Sequence, residues 1–272
     1  MGKGYFLIVS YPRSGSSFLS ALVEELSPIK VYLEIFHDQL SVIRQTLGPD
    51  ADHVLHPDTP EAEQHHPIVQ EPMPYLARID AVNADTGFFF KVFWHHLPPD
   101  SIRQVVEGSN GAIFLYRNLV HSFISDEIAI KRMSWGGDVT SSDLIVFDKQ
   151  KFLFLARAIL EHQKVARDIA VAANIPIVDC WYDEIAESGE GEGKVLQMMD
   201  HLGMERRADA EQTSPARLRP TRQDGRRLAS DKVSNKDELL ATLRELGIEH
   251  ADDDYARIDV DALLTRLQAR SA

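Results

Sequence analysis

The sequence has a single cysteine and no long apolar stretch. Cys180 is the one cysteine among 272 residues, which excludes an intramolecular disulfide and a cysteine-rich zinc site. No uninterrupted apolar run reaches the roughly 18 residues that indicate a transmembrane helix. The N-terminus also lacks the layout of a signal peptide. We therefore expect a cytoplasmic protein with no transmembrane segment.

Positive charge is also scarce. The chain has 29 Lys and Arg against 42 Asp and Glu, a formal net charge of −13. Because nucleic-acid-binding proteins need a basic surface to neutralise phosphates, we expect no nucleic-acid partner. An anionic ligand would have to be held by local positive charge. The length and the 44% hydrophobic content favour one domain over residues 1–272. Monomer and homodimer remain open alternatives.

Apolar runs alternate with helical patterns along the chain. Residues 5–9, 88–94, 112–116 and 177–180 are predicted strands, and helical spacing follows at 18–26, 119–132 and 149–173. Strands that alternate with helices pair in parallel through right-handed crossovers. We therefore predict an α/β, P-loop-like three-layer fold, with a mostly parallel sheet flanked by helices on both faces. Such sheets bind ligands at the carboxyl ends of their strands.

Three further segments are distinctive. Residues 48–74 are rich in Pro, Asp, His and Glu with little periodicity, which predicts an irregular surface excursion that could form a wall of an acceptor site. Residues 216–232 form a basic island in this acidic chain. Residues 236–272 carry two helical patterns, at 236–246 and 260–267, so we expect C-terminal helices there. A short helix carrying Ile102 is expected to be capped by Asp100 or Ser101.

A loop of small residues joins the first strand to the first helix. It reads Tyr-Pro-Arg-Ser-Gly-Ser-Ser over positions 11–17. A loop at this junction presents unpaired backbone N–H groups to an anion, with the positive end of the helix dipole behind them. Gly15 allows close approach of an oxygen, and Arg13 can engage a phosphate through two hydrogen bonds. The alternative is a capped turn without a ligand.

The same loop does not fit a conventional ATP or GTP site. The Walker A pattern needs a glycine at the start of the loop and a lysine after its last glycine, and both are missing. A P-loop kinase or nucleotide hydrolase is therefore one alternative function, weakened by this loop. A non-catalytic nucleotide-binding protein is another.

The loop resembles the 5′-phosphosulfate loop of sulfotransferases, of the form aromatic-Pro-Lys/Arg-Ser-Gly-Ser/Thr-Ser/Thr. Its Arg, and the Ser-Ser-Phe after the glycine, are more similar to the carbohydrate and bacterial sulfotransferases than to the cytosolic phenol and steroid enzymes. The resemblance implies 3′-phosphoadenosine 5′-phosphosulfate as sulfuryl donor, a hydroxyl of a carbohydrate, lipid or small metabolite as acceptor, and no metal. The donor-binding residues that it implies here are Arg13, Ser14, Gly15, Ser16, Ser17 and Phe18.

A second motif of the family follows the third predicted strand. Arg117 ends this strand, and Ser125 lies eight positions further on. In the family, an Arg and a Ser so placed bind the 3′-phosphate of the nucleotide; taken alone, such a pair would be structural. Tyr182 matches the family tyrosine that contacts the adenine, with a half-buried core tyrosine as the alternative. Arg226 and Arg227 are the nearest match to a loop that closes over the 3′-phosphate, with a solvated charged loop as the alternative.

Transfer to a hydroxyl requires a base, and two candidates compete. Glu34 lies in an apolar segment, 31–36, that is predicted to be a strand, and in bacterial trehalose-type sulfotransferases a Glu at the matching place is the base. His95 and His96 belong to a stretch similar to the Lys-Thr-His-Leu-Pro of cytosolic sulfotransferases, with two extra residues after Lys91. Histidine's pKa near 6.5 suits the role. An ion pair for Glu34, a solvated loop for the histidines, and a base elsewhere remain open. Arg13 is expected to stabilise the leaving group.

Overall fold

A five-stranded parallel sheet forms the centre of the molecule. The computed structural model describes residues 3–55, 67–133, 144–186, 191–208, 226–254 and 256–270. The strands are β1 (Tyr5–Ser10), β2 (Lys30–Val31), β3 (Phe88–Phe93), β4 (Gly111–Tyr116) and β5 (Ile177–Trp181). Their order is β2-β3-β1-β4-β5, and all neighbours are parallel. Strands β2 and β3 lie on one side of β1, and β4 and β5 lie on the other side. In parallel sheets with such a reversal of strand order, a crevice forms at the carboxyl ends of the central strands.

Helices connect and cover these strands. They are α1 (Ser16–Leu26), α2 (Leu40–Leu47), α3 (Ala51–Val54), α4 (Pro72–Val82), α5 (Pro99–Glu107), α6 (Leu119–Arg132), α7 (Lys149–Ala172), α8 (Tyr182–Ala186), α9 (Gly191–Leu202), α10 (Lys236–Leu246) and α11 (Val260–Ala269). Short 3₁₀ turns lie at Gly48–Asp50, Ala229–Lys232 and Glu249–Asp252. Within the described ranges, none of the helices combines the length and the apolar character needed to cross a bilayer.

Both faces of the sheet are buried under helices. Leu7 and Val9 of β1 pack on one side with residues of α4, α5 and α7, whereas Phe6 and Ile8 pack on the other side with residues of α1 and α9. Strands that are buried on both faces read as continuous apolar runs, which explains the sequence pattern. The predicted α/β fold with helices on both faces of a parallel sheet is therefore confirmed.

A third apolar cluster brings the C-terminal region to the ligand-binding edge of the sheet. It joins α6 and the first half of α7 to α10 and α11, and it includes Ile248, Ala251 and Ile258 from the connection between the last two helices. Asn118 fixes this connection, because its Nδ2 donates to the carbonyls of Ala251 and Asp253 at 3.0 and 2.9 Å. Residues 250–254 consequently lie beside the end of β4.

The predicted strand over 31–36 is wrong. Pairing with β3 covers only Lys30 and Val31, after which two isolated backbone hydrogen bonds lead to a turn. Ile35 and Phe36 are buried in the core on one face of the sheet. The apolar pattern at this position therefore reflects side-chain burial in a loop. Glu34 lies in this loop, just beyond the carboxyl end of β2.

The prediction of an irregular excursion over 48–74 is also wrong for the parts that the structure describes. These parts hold the 3₁₀ turn at Gly48–Asp50, α3, a helical turn at 67–70 and the start of α4. Val54 and Ile68 are buried in the core, which pins these short helices to the sheet. The expected cap of α5, Asp100 or Ser101, lies two or three residues too late, because Pro98 is the N-cap and Pro99 begins the helix. Proline is well suited to this first turn.

Candidate functional site

The predicted site residues follow the five strands at one edge of the sheet. Arg13 comes after β1, Glu34 after β2, His95 and His96 after β3, and Arg117 after β4, while Tyr182 begins α8 directly after β5. Parallel strands end at the same edge, so the topology gathers residues from distant parts of the sequence. Some of these side chains contact one another directly, and others do not.

The loop after β1 leaves helix donors free. Gly15 is the N-cap of α1, with a φ of 93° and no side-chain cap. The N–H groups of Phe18 and Leu19 bond to the Gly15 carbonyl, whereas those of Ser16 and Ser17 have no acceptor among the described residues. A helix N-terminus of this kind favours an anion. Ser14 lies within the loop, and its Oγ is buried with no partner in the described part of the chain.

Gly15 is also the contact point between the loop and Tyr182. A Cβ on Gly15 would lie 2.2 Å from Cδ2 of Tyr182. Together with the positive φ, this close approach excludes any larger residue at position 15. Tyr182 therefore covers the loop at its narrowest point and is half-buried there.

Tyr11 ties the loop to the end of β4. Its buried hydroxyl accepts a hydrogen bond from the N–H of Arg117 at 2.7 Å and donates to the carbonyl of the same residue. The side chain of Arg117 returns to the loop, because Nη1 donates to the carbonyl of Arg13 at 2.9 Å. These bonds hold the loop and the strand end as one unit.

Arg13 reaches from the loop to α6. Its Nε donates to Oγ of Ser125 at 3.1 Å. Asp126, the next residue on α6, lies close enough to interact with the charge of Arg13, and burial raises the pKa of its carboxyl group to about 6. The two predicted motifs thus meet through Arg13, although Ser125 contacts Arg13 and not Arg117.

The guanidinium of Arg117 contacts an aromatic ring and a carboxylate. Its guanidinium stacks on the Tyr182 ring, 4.6 Å from the centroid. Its Nη2 lies 3.3 Å from Oδ1 and 3.4 Å from Oδ2 of Asp254. Its Nε is buried and has no acceptor within the described residues. Arg117, predicted to bind the 3′-phosphate, is therefore in contact with Tyr182, predicted to bind the adenine, and both line a pocket with Trp181 and Arg257.

Lys91 is a functional candidate that the sequence analysis did not single out. It belongs to β3 and is only 3% exposed, yet its Nζ donates to Oγ of Ser17 at 3.0 Å and lies 2.9 Å from Oε1 of Glu34. Burial lowers the pKa of Lys91, with a smaller contribution from nearby Arg13, while Glu34 opposes the shift. The sequence feature that could have identified Lys91 is that it is the one lysine within an otherwise apolar strand.

The two histidines after β3 occupy different environments. The His96 side chain has no exposed surface, and its Nδ1 accepts the N–H of Phe93 at 3.2 Å. Burial holds the pKa of His96 well below 6.5, so the ring is neutral with its proton on Nε2. This Nε2 lies 3.8 Å from Oε2 of Glu34. His95 is exposed and contacts the rings of Trp94 and His96.

The basic residues before α10 are described only from position 226 onward, so the predictions for 216–225 lie outside the described residues. Nη1 of Arg226 donates to the carbonyl of Asp231 at 2.9 Å. Arg227 forms an ion pair of 2.7 Å with Asp253, the neighbour of Asp254. Both arginines therefore lie on the segment that packs against 250–254.

Comparisons with known proteins give matches among solved structures only. No family model matches the chain, and no curated protein matches it. The sulfotransferase domain of the Synechococcus olefin synthase is 14% identical with a TM-score of 0.40, over 100% of this chain and 95% of that one. Mouse sulfotransferase SULT7A1, complexed with PAP, is 13% identical with a TM-score of 0.43, over 94% and 90% of the two chains.

Both of these solved structures are sulfotransferases, the family that the two motifs resemble. Because both TM-scores are below 0.5 and both identities below 25%, neither structure carries an argument about this chain.

Proposed function

We propose that this protein is a sulfotransferase that moves the sulfuryl group of 3′-phosphoadenosine 5′-phosphosulfate to a hydroxyl group. The observation that carries the proposal is the position of Lys91, whose Nζ joins Ser17 of the anion loop to the carboxylate of Glu34. A donor bound at the loop would have its transferable group within reach of a buried cation and a carboxylate. This arrangement matches the charge and proton requirements of transfer to a hydroxyl.

In this proposal the donor lies along the carboxyl edge of the sheet. Its 5′-phosphosulfate accepts hydrogen bonds from the N–H groups of Ser16 and Ser17, which have no acceptor among the described residues. The adenine stacks on Tyr182, and the 3′-phosphate binds Arg117 and Ser125 with charge-assisted hydrogen bonds. Arg226 and Arg227 approach the same phosphate from the C-terminal region. Nε of Arg117, which has no acceptor in the part of the chain that the structure describes, is one donor that such a phosphate would satisfy.

Glu34 is the proposed base. Its side chain is 24% exposed, so an acceptor hydroxyl can approach it, whereas the fully buried His96 has no such access. Nζ of Lys91 lies 2.9 Å from Oε1 and holds the carboxylate next to the anion loop. Nε2 of His96 and Nε2 of His37 lie 3.8 and 3.9 Å from the second oxygen of Glu34, beyond hydrogen-bond distance.

The proposed transfer is a single displacement. The acceptor oxygen bonds to sulfur while the bond from sulfur to the bridging phosphate oxygen breaks, and the hydroxyl proton passes to Glu34. The leaving group is 3′-phosphoadenosine 5′-phosphate, on which negative charge develops. Arg13 and Lys91 provide the positive charge that stabilises it, in a largely preorganised site. The proposed acceptor is an alcohol group of a carbohydrate, a lipid or a small metabolite.

The test is turnover with the donor and a panel of hydroxyl acceptors, followed by mass spectrometry of the products. We expect a product heavier by one sulfuryl group and stoichiometric release of 3′-phosphoadenosine 5′-phosphate. Calorimetry with that nucleotide, compared with ATP and magnesium, should show binding of the former only. Absence of a sulfated product, with nucleotide binding retained, would instead indicate a non-catalytic binding protein.

Arg13→Met provides the first mutational prediction. The variant keeps much of the side-chain bulk but removes the charge near the leaving group, so kcat should fall by roughly 10²-fold or more. Arg103→Met removes an exposed arginine that pairs with Glu107 on α5, and it should behave like the wild type. A kcat for Arg13→Met within about threefold of the wild type would remove Arg13 from the mechanism.

A further inference from the structure

The carboxylate of Asp254 lies on the arginine that the proposed function assigns to the donor's 3′-phosphate. It contacts Nη2 of Arg117 through both of its oxygens, at 3.3 and 3.4 Å, and its side chain is only 9% exposed. Nδ1 of His121 lies 3.3 Å from Oδ1 of the same carboxylate. Behind His121, Nζ of the buried Lys232 is 3.1 Å from Nδ1 of the histidine. Two cations and a histidine thus surround one carboxylate.

A phosphate that binds Arg117 with a fork of two hydrogen bonds needs two adjacent N–H groups. Nη1 already donates to the carbonyl of Arg13 at 2.9 Å. Nε is buried without an acceptor in the described part of the chain, so it can supply one of the two bonds. The adjacent donor, Nη2, faces Asp254. Asp254 contacts Nη2 and not Nε, so a phosphate held by Nε and Nη2 would share Nη2 with the carboxylate and lie beside its negative charge.

The carboxylate of Asp254 is charged at neutral pH. Burial alone would raise its pKa, but Arg117, His121 and Lys232 together outweigh burial and lower it. An incoming phosphate thus meets a like charge at close range, which disfavours both occupying the site. In the absence of a phosphate, Asp254 supplies the counter-charge that the largely buried Arg117 requires.

The backbone around Asp254 is held firmly. Asn118 bonds to the carbonyls of Ala251 and Asp253, and the carboxylate of Asp252 accepts hydrogen bonds from N–H and Oγ of Ser230 at 2.6 and 2.9 Å. To admit a phosphate at Arg117, the Asp254 side chain would therefore have to move, while the backbone segment that carries it stays in place.

We propose that Asp254 is a donor-specificity residue, whose carboxylate competes with the donor's 3′-phosphate for Arg117 and reduces the affinity that this phosphate contributes. The inference rests on the proposed function. A nucleotide without a 3′-phosphate leaves the pair of Arg117 and Asp254 intact. A nucleotide with one must place its phosphate on Arg117 beside the carboxylate, so the two negative charges compete for the same guanidinium.

The test compares two nucleotides by calorimetry: 3′-phosphoadenosine 5′-phosphate, and adenosine 5′-phosphate, which lacks the 3′ group. In Asp254→Asn, with the charge removed and the shape kept, the first should bind about tenfold more tightly than to the wild type. The second should bind within about twofold of the wild type. Asp168→Asn removes an equal charge from an exposed pair with Lys164 on α7, and it should change neither affinity.

A double-mutant cycle separates competition from positioning. In an Arg117→Ala background, Asp254→Asn should no longer alter the preference between the two nucleotides, because the shared partner is gone. If Asp254→Asn instead weakens binding of the 3′-phosphorylated nucleotide, or shifts both affinities equally, the inference is overturned. If thermal unfolding shows that Asp254→Asn is misfolded, Asp254→Ser, which also removes the charge, is used in its place.

The outcome for the wild-type protein separates this inference from the function on which it rests. A wild type that does not bind 3′-phosphoadenosine 5′-phosphate at all refutes both. A wild type that binds it, without a gain in Asp254→Asn, refutes only the competition and leaves the proposed sulfotransferase function standing.

Discussion

Lys91 and Glu34 show how single residues at this site depend on each other. A buried ammonium group is costly unless it is paired and hydrogen-bonded, and Lys91 meets both conditions through Glu34 and Ser17. Removing one partner of such a pair leaves an uncompensated charge and typically costs about 3–5 kcal/mol. The pair therefore has a structural role in addition to the proposed chemical one, and tests of Glu34 must separate the two.

Glu34→Gln addresses the proposed base. The amide keeps the shape of the side chain and can still accept a hydrogen bond from Lys91, but it cannot take a proton. We expect affinity for 3′-phosphoadenosine 5′-phosphate to be retained while kcat falls by roughly 10²–10⁴-fold. Calorimetry measures the first quantity and steady-state turnover the second. Thermal unfolding of the variant shows how much of the change comes from lost stability.

The controls for Glu34 come from the same loop and from the segment that follows β3. Asp38→Asn alters an exposed carboxylate beside His37 and should leave kcat unchanged. His95→Asn should change the acceptor's KM more than kcat, because the exposed imidazole can contact the acceptor without taking its proton. An inactive His95 variant together with an active Glu34→Gln variant would assign the base to the histidine.

At the scale of elements, the Asn118 side chain both caps a helix and anchors a distant segment of the chain. Its Oδ1 caps α6 by accepting the N–H of Val120 at 3.0 Å, and its Nδ2 holds residues 251 and 253. The helix that carries Ser125 and the segment that carries Asp254 are therefore fixed by the same residue. This link connects two parts of the chain that are more than 130 positions apart.

Asn118→Ala should consequently cost more stability than the loss of a cap. Asp259 is a matched control, because its side chain caps α11 by accepting the N–H of Ala262 at 2.9 Å. We expect Asp259→Ala to lower the free energy of unfolding by about 1 kcal/mol, and Asn118→Ala by roughly twice that or more. Urea unfolding measures both.

Nucleotide binding provides a second readout for this pair. Only Asn118→Ala should weaken binding of 3′-phosphoadenosine 5′-phosphate, since Arg117 is its chain neighbour. Equal losses of stability in the two variants, with unchanged nucleotide binding in both, would show that Asn118 is no more than a cap.

Elements with strong periodicity are predictable from the sequence, and short ones are not. The pattern over 119–132 predicts α6 to the residue, and that over 149–173 predicts α7 within one residue, because each turn of these helices buries apolar side chains. β2 has only two residues, too few for any period to emerge. The helices at 51–54 and 67–70 are similarly short, and contacts with the core stabilise them.

At the scale of the whole molecule, buried histidines make stability depend on pH. Desolvation lowers the pKa of His121 and of His162 to about 4, against about 6.5 in the unfolded chain. Both rings are neutral in the folded protein, so acid protonates the unfolded state first. Their stabilising contribution is complete above pH 6.5 and is lost as the pH falls toward 4.

We therefore expect the free energy of unfolding to decrease between pH 6.5 and 4.5, by about 1–2 kcal/mol for each of these histidines. Asp126 acts in the opposite direction, because its pKa is raised to about 6 and its contribution is lost as the pH rises; it offsets part of the decrease. Urea unfolding at several pH values tests the prediction, and His162→Leu should flatten the curve. A stability that is constant over this range would contradict it.

The sequence by itself determined the layers of the fold and the edge of the sheet at which the predicted site residues lie. Continuous apolar runs indicate strands buried on both faces, and helices between them require parallel pairing. From this it follows that Arg13, Arg117 and Tyr182 come to one edge, since all three follow strands. Local chain order is sufficient for such a conclusion, because the carboxyl ends of parallel strands coincide.

Only the tertiary structure decided which side chains touch. Lys91 bridges Ser17 and Glu34, and Asp254 reaches Arg117 from 137 positions away. His96 is enclosed while its neighbour His95 is exposed. Burial and long-range pairing depend on how helices and loops pack over the sheet edge. That packing is a property of the whole chain, and no local pattern of residues encodes it.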